Sequence, residues 1–96
     1  MNNKLERKLS QKLIDMGVTP NLKGYKYLLS ALIYAVNNPK GWQITKAIYP
    51  SISKEYDVTI LNVERAIRHA ITKTDISTTN SEFIALLAEE VRLEGE

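Results

Sequence analysis

Residues 63–71 constrain this chain more than any other stretch. Val63, Ala66, Ile67, Ala70 and Ile71 stand at i, i+3, i+4, i+7 and i+8, with charged or polar residues at every position between them. An α-helix gathers those five side chains into one seam, whereas a strand would scatter them over two faces. The residues just before, 58–63, are rich in β-branched side chains and resemble a strand, but the seam that follows outlasts one. The same period recurs along the chain. Leu5, Leu9, Leu13 and Met16 predict an amphipathic helix over 3–16 that ends at Gly17, with Val18 folding back on the last turn and Pro20 preventing an immediate restart. Tyr25, Leu28, Leu29, Leu32, Ile33 and Val36 predict a second, more buried helix that runs into Asn37, Asn38 and Pro39.

A third set, Ile44, Ala47, Ile48, Ile52 and Tyr56, keeps helical spacing across Pro50, which either kinks the helix or opens a second short one; the sequence leaves both open. Phe83, Ile84, Leu87, Ala88, Val91 and Leu93 mark a last helix. Thr79 has capping-box spacing to Glu82, and Asn80 is an equally good cap. No segment alternates with the period of a strand, and no repeat or linker appears. The expected fold is all-α: a compact helical bundle without a sheet, one domain over 1–96.

At 96 residues, folding buries about 60 to 65% of the surface the unfolded chain exposes, so the 44% of hydrophobic residues are all needed for one core. The absence of cysteine excludes a disulfide frame, a thiolate zinc site and a cysteine nucleophile, and favours a cytoplasmic setting. The first ten residues are charged and no run approaches the roughly 18 apolar residues of a membrane span, so neither export nor membrane insertion is expected.

The net charge of +2 conceals an asymmetry. Residues 1–73 carry twelve Lys/Arg against five Asp/Glu, a balance of +7, while residues 74–96 carry one against six, a balance of −5. A basic first part suits a polyanionic partner, because phosphate neutralisation supplies much of nucleic-acid affinity, although solvated helix faces alone could draw the same charges.

Residues 52–73 read as short helix, tight connection and longer helix, which is the order of a helix-turn-helix. Opposite the seam of its second helix stand Asn62, Glu64, Arg65, Arg68, His69, Thr72 and Lys73. Arginine can bond guanine O6 and N7 together, glutamate can accept from the cytosine amino group, and asparagine can pair with adenine, so this face is equipped to read double-stranded DNA. The competing reading is an ordinary solvated face in which Glu64 and Arg68 form an i, i+4 ion pair.

Other chemistries find less support. One histidine without cysteine gives no metal site, and no nucleophile and base stand at a recognisable spacing, so no catalysis and no cofactor are expected. Trp42 and the tyrosines Tyr25, Tyr27, Tyr34, Tyr49 and Tyr56 could stack single-stranded bases, but their helical spacing favours packing. The leucine stripe of the first helix could equally dock a partner helix.

Four runs carry a resemblance to a known family: Lys23-Gly-Tyr-Lys-Tyr-Leu, Ile44-Thr-Lys-Ala-Ile-Tyr-Pro, Val63-Glu-Arg-Ala-Ile-Arg-His-Ala-Ile and Thr79-Asn-Ser-Glu-Phe-Ile-Ala. They resemble the DNA-binding effector domain of stage zero sporulation protein A, over about residues 9–93. That family comprises bacterial transcription regulators of endospore formation whose effector domain is an all-helical bundle with a helix-turn-helix. The resemblance implies base contacts for Glu64 and Arg65, and base or phosphate contacts for Arg68 and His69. Where this chain has Asn62 the family usually has arginine, so a different sequence preference is expected there.

Two further departures shape the expectation. In the family a phosphorylatable receiver domain precedes the effector, whereas here Met1 opens just before the effector-like helix, so phosphorelay control is not expected in this chain. The family also has a longer segment, including another helix, where 72–79 stands here. That segment is associated with contacts to the primary sigma factor of RNA polymerase and with the arrangement of adjacent copies on DNA, so activation by the usual route is not expected. The resulting expectation is a DNA-occupying regulator, with itself or a related regulator as a dimer partner on DNA. The alternative is an interaction module or antagonist that keeps the bundle without useful DNA binding.

Overall fold

The computed structural model describes residues 3–95, which form five α-helices and one π-helical turn: α1 (Asn3–Asp15), α2 (Lys23–Asn37), the π-turn (Ile44–Ile48), α3 (Tyr49–Tyr56), α4 (Ile60–Ile71) and α5 (Asn80–Glu94). There is no strand among them. The expected all-α bundle is what forms. No helix among the described residues is long and apolar enough to cross a membrane.

The centre of the bundle is α2, which packs against α1, α4 and α5 and also touches α3 and the π-turn. Its sequence explains the position: Gly24, Tyr27, Leu28, Ala31, Leu32 and Ala35 are buried and Leu29 and Ile33 partly so, leaving only a narrow polar strip for solvent. Leu9 and Leu13 of α1, Ile48 and Ile52 around α3, Val63 and Ile67 of α4, and Phe83, Ile84 and Leu87 of α5 complete one core. The leucine stripe of α1 is therefore spent inside the protein, which corrects its reading as a docking surface. The aromatic residues follow the packing reading: Tyr27 and Tyr49 are buried, and Tyr25, Tyr34, Tyr56 and Trp42 are partly buried against the core.

The helix ends obey local chemistry. Gly17 takes φ +105°, its N–H bonds the Ile14 carbonyl at 3.0 Å, and the Val18 N–H reaches the Leu13 carbonyl at 2.8 Å, which is the paired closure of a Schellman motif with Val18 buried beneath it. At α5 the choice between caps falls on Thr79: its hydroxyl accepts from the Glu82 N–H at 3.1 Å, while the Glu82 carboxylate accepts from the Thr79 N–H. Hydrogen bonds donated by the Thr78 hydroxyl and by the N–H and hydroxyl of Thr79 hold the Glu82 carboxyl below its usual range, that of Thr78 contributing most. Leu93, counted with the apolar set of this helix, is 61% exposed.

Pro50 lies in the first turn of α3, directly after the π-turn. Ile48 N–H bonds the Gln43 carbonyl at 3.3 Å and Tyr49 N–H the Ile44 carbonyl, so the chain passes through a widened turn into α3 without leaving helical conformation. The two possibilities that the sequence left open thus merge, since the proline opens α3 and the irregularity sits just ahead of it.

Candidate nucleic-acid interface

Between α3 and α4 lies a turn at 57–59. Asp57 ends α3 in the left-handed conformation (φ 54°), its N–H on the Ser53 carbonyl, and Val58 N–H bonds the same carbonyl at 3.1 Å. Thr59 then caps α4 by accepting from the Asn62 N–H at 3.1 Å. The short α3, this turn and α4 are consistent with the expected helix-turn-helix.

On α4, Val63, Ile67, Ala70 and Ile71 are buried, whereas Asn62, Arg65, Arg68 and His69 are exposed. Arg65 lies diametrically opposite the seam. Its neighbours divide into two flanks. Asn62 and His69 turn toward α2, and with Arg65 they line an open groove of about 830 Å³ whose far wall is built from the start of α2 and the chain before it. Glu64 and Arg68 turn the other way: the Arg68 Nε donates to Glu64 Oε2 at 3.0 Å and its Nη2 pairs with the same oxygen. That carboxylate pushes the Arg68 pKa up, so the ion pair named as the competing reading of this face is present. Arg68 nonetheless keeps 63% of its side chain exposed against 27% for Glu64.

Glu64 is held from behind as well. The side-chain amide of Asn80, at the start of α5, donates to the Glu64 carbonyl at 3.2 Å and to the Tyr49 hydroxyl at 2.8 Å. Asn80 is a buried polar residue with both contacts inside the protein, and burial pushes the Tyr49 pKa up. One amide thus ties α5, α4 and the start of α3 together.

Lys73 falls elsewhere than expected. The helix stops at Ile71, Thr72 forms its C-cap, and Lys73 is an exposed residue of the following turn. Its main-chain oxygen abuts Gly17, where an added Cβ would lie 2.5 Å away. The apolar pattern ends at Ile71, because the next position of the seam is the polar Thr74. Of the other six residues named on that face, Asn62, Glu64, Arg65, Arg68 and His69 lie on α4 itself and Thr72 is its C-cap; only Asn62, Arg65 and His69 share the groove.

Two cations of the groove were not among those singled out. Lys23 and Lys26, from the first turn of α2, line it opposite Arg65. The contact that brings them there is Gly24: a Cβ at that position would lie 2.1 Å from the Ala66 carbonyl oxygen and 2.9 Å from the Ala70 Cβ. Only a residue without a side chain lets α2 meet the α4 backbone so closely. The Lys23-Gly-Tyr-Lys spacing was the available signal, a glycine flanked by two lysines three apart on the polar side of a buried helix.

Comparison with known families matches residues 9–76 to the family described as "Sporulation initiation factor Spo0A C terminal". The matched span contains most of α1 and all of α2, α3 and α4, with every residue of the groove, and ends before α5. Because it covers more than two thirds of the 96 residues, the chain belongs to the Spo0A C-terminal family, a family of DNA-binding effector domains.

Proposed function

We propose that this chain acts as one sequence-specific DNA-binding unit, a transcription regulator that lays α4 in the major groove of double-stranded DNA. The observation that carries the reading is the placement of Arg65, exposed, at the centre of the outward face of α4, opposite Val63, Ile67, Ala70 and Ile71. In this reading Arg65 bonds guanine O6 and N7, and Asn62 pairs with adenine near the start of the helix. The Glu64 carboxylate turns from Arg68 to a cytosine amino group, Arg68 and His69 serve bases or phosphates, and Lys73 meets a phosphate beyond the helix end.

Arg65→Ala is expected to cost about 1 to 3 kcal/mol on a preferred site and to relax the preference at one base pair, while Lys73→Ala weakens all duplexes alike. Fluorescence anisotropy at one fixed salt concentration reads both. Unchanged affinity in both variants removes α4 from the account. If the unaltered chain binds no duplex with a family-type site at moderate salt, the protein is an interaction module of the family rather than a DNA reader.

A further inference from the structure

Most cations that this fold places beside a carboxylate lie away from the groove. Lys8 and Lys12 meet Glu90 and Glu94, Arg92 meets Glu89, and Arg68 meets Glu64. Lys23, Lys26 and Arg65 have no ion pair among the described residues, as is also true of Lys4, Arg7, Lys40, Lys46, Lys54 and Lys73, but these three are gathered in one groove beside α4 whose lining includes no Asp or Glu. Like charges gathered without counter-charges repel, so the arrangement favours a bound anion rather than the empty fold.

Lys26 is also held in place. Its ammonium lies 4.9 Å from the centroid of the Tyr56 ring and 5.7 Å from that of Tyr27, and the two rings meet edge to face at 5.3 Å. A lysine oriented over aromatic faces loses less side-chain freedom on gripping a ligand than one waving in solvent. The groove is open to solvent rather than enclosed, and it lies beside the outward face of α4. An extended anion with regularly repeated charge fits such a place.

Building on the function proposed above, we infer that Lys23 and Lys26 form a phosphate clamp on α2. The clamp grips the sugar-phosphate strand bordering the major groove that α4 enters. Register on the duplex is then set by two helices, α4 reading base edges and α2 holding the backbone, with Gly24 fixing the distance between them.

The test compares the unaltered protein with Lys23→Gln/Lys26→Gln, Lys26→Arg and Arg65→Ala, titrated by anisotropy over a salt series. Two labelled duplexes are used, one with a family-type site and one scrambled, and labelled polyglutamate serves as a second polyanion. The double variant is expected to flatten the slope of log affinity against log salt by about 1.8, from two lost phosphate contacts, with the ratio between the duplexes preserved. Lys26→Arg keeps charge and ring contact, and so keeps the slope. A slope unchanged in the double variant, with the duplex ratio still lost in Arg65→Ala, overturns the clamp and leaves the reading of α4 standing. Polyglutamate bound as tightly as duplex, and released by the same double variant, also overturns it, because the groove would then take any polyanion. Failure of the unaltered chain to bind duplex overturns both. Circular dichroism checks that the double variant is folded, as expected for two exposed side chains.

Discussion

Along α1 and α5, Lys8 and Lys12 are closed onto Glu90 and Glu94 at 3.0 to 3.2 Å; where α2 meets α4, Lys23, Lys26 and Arg65 stand without a carboxylate. Both regions are helix surfaces that carry lysines, so the lysines alone do not separate them. What separates them is the partner across the gap: glutamates of the acidic last helix on one side, and only neutral or cationic residues on the other. A lysine matched within the fold contributes a little to the scaffold, since exposed pairs are worth about 0 to 1 kcal/mol, whereas an unmatched one remains available to a ligand.

The contrast can be broken most forcefully at Gly24. Gly24→Ala drives a methyl into the Ala66 carbonyl and should cost about 3 kcal/mol, read as a lower urea midpoint, because neither backbone can yield without opening the groove. An unchanged midpoint would mean that α2 and α4 are not pressed together as described. Asn80→Ala comes next. It leaves the Tyr49 hydroxyl and the Glu64 carbonyl without their buried donor and should cost about 1 to 3 kcal/mol, with hydrogen exchange of α4 amides rising in step.

Acid sharpens the difference between the two sides. Hydrogen bonds from Lys12 and Lys8 hold the Glu94 carboxyl low, as those from Thr78 and Thr79 hold that of Glu82. A carboxyl lower in the folded than in the unfolded state gives stability that is complete above its ordinary value and is lost as the pH falls through the lowered one. Amides of α5 should therefore lose exchange protection before those of α4 as acid is added, and the Glu82→Gln/Glu94→Gln variant should flatten that dependence. Simultaneous loss at both helices would show that the paired side is not the acid-sensitive one. The smallest effect is expected at Lys12, whose pKa the Glu90 and Glu94 hydrogen bonds raise: Lys12→Gln should cost less than about 1 kcal/mol and leave the salt dependence of duplex binding untouched. A change of slope as large as that expected of the lysines on α2 would erase the distinction.

Much of the fold was legible because helix periodicity and helix punctuation are local. Gly17, Val18 and Pro20 announce the end of α1, and the seam from Val63 to Ile71 gives the buried face of α4. The π-turn was not legible, since Ile44, Ala47 and Ile48 keep helical spacing whether the turn is tight or wide. Thr79 and Asn80 are equivalent as caps on paper; geometry gives the cap to Thr79 and frees the Asn80 amide to go inward. On the candidate interface, the outward face of α4 could be read from one segment. Its division into an Arg68–Glu64 flank and a groove flank could not, nor could the place of Lys23 and Lys26, because the groove is made by two helices about forty residues apart in sequence.

The Asn80 amide has a consequence for where this protein can be cut. A fragment ending at Ile76 would hold the entire matched span and every side chain of the groove, yet it would strip Phe83, Ile84 and Leu87 from the interior and leave α4 unbraced from behind. Family likeness and mechanical completeness thus have different borders here, and a minimal DNA-binding piece should be trimmed by the second.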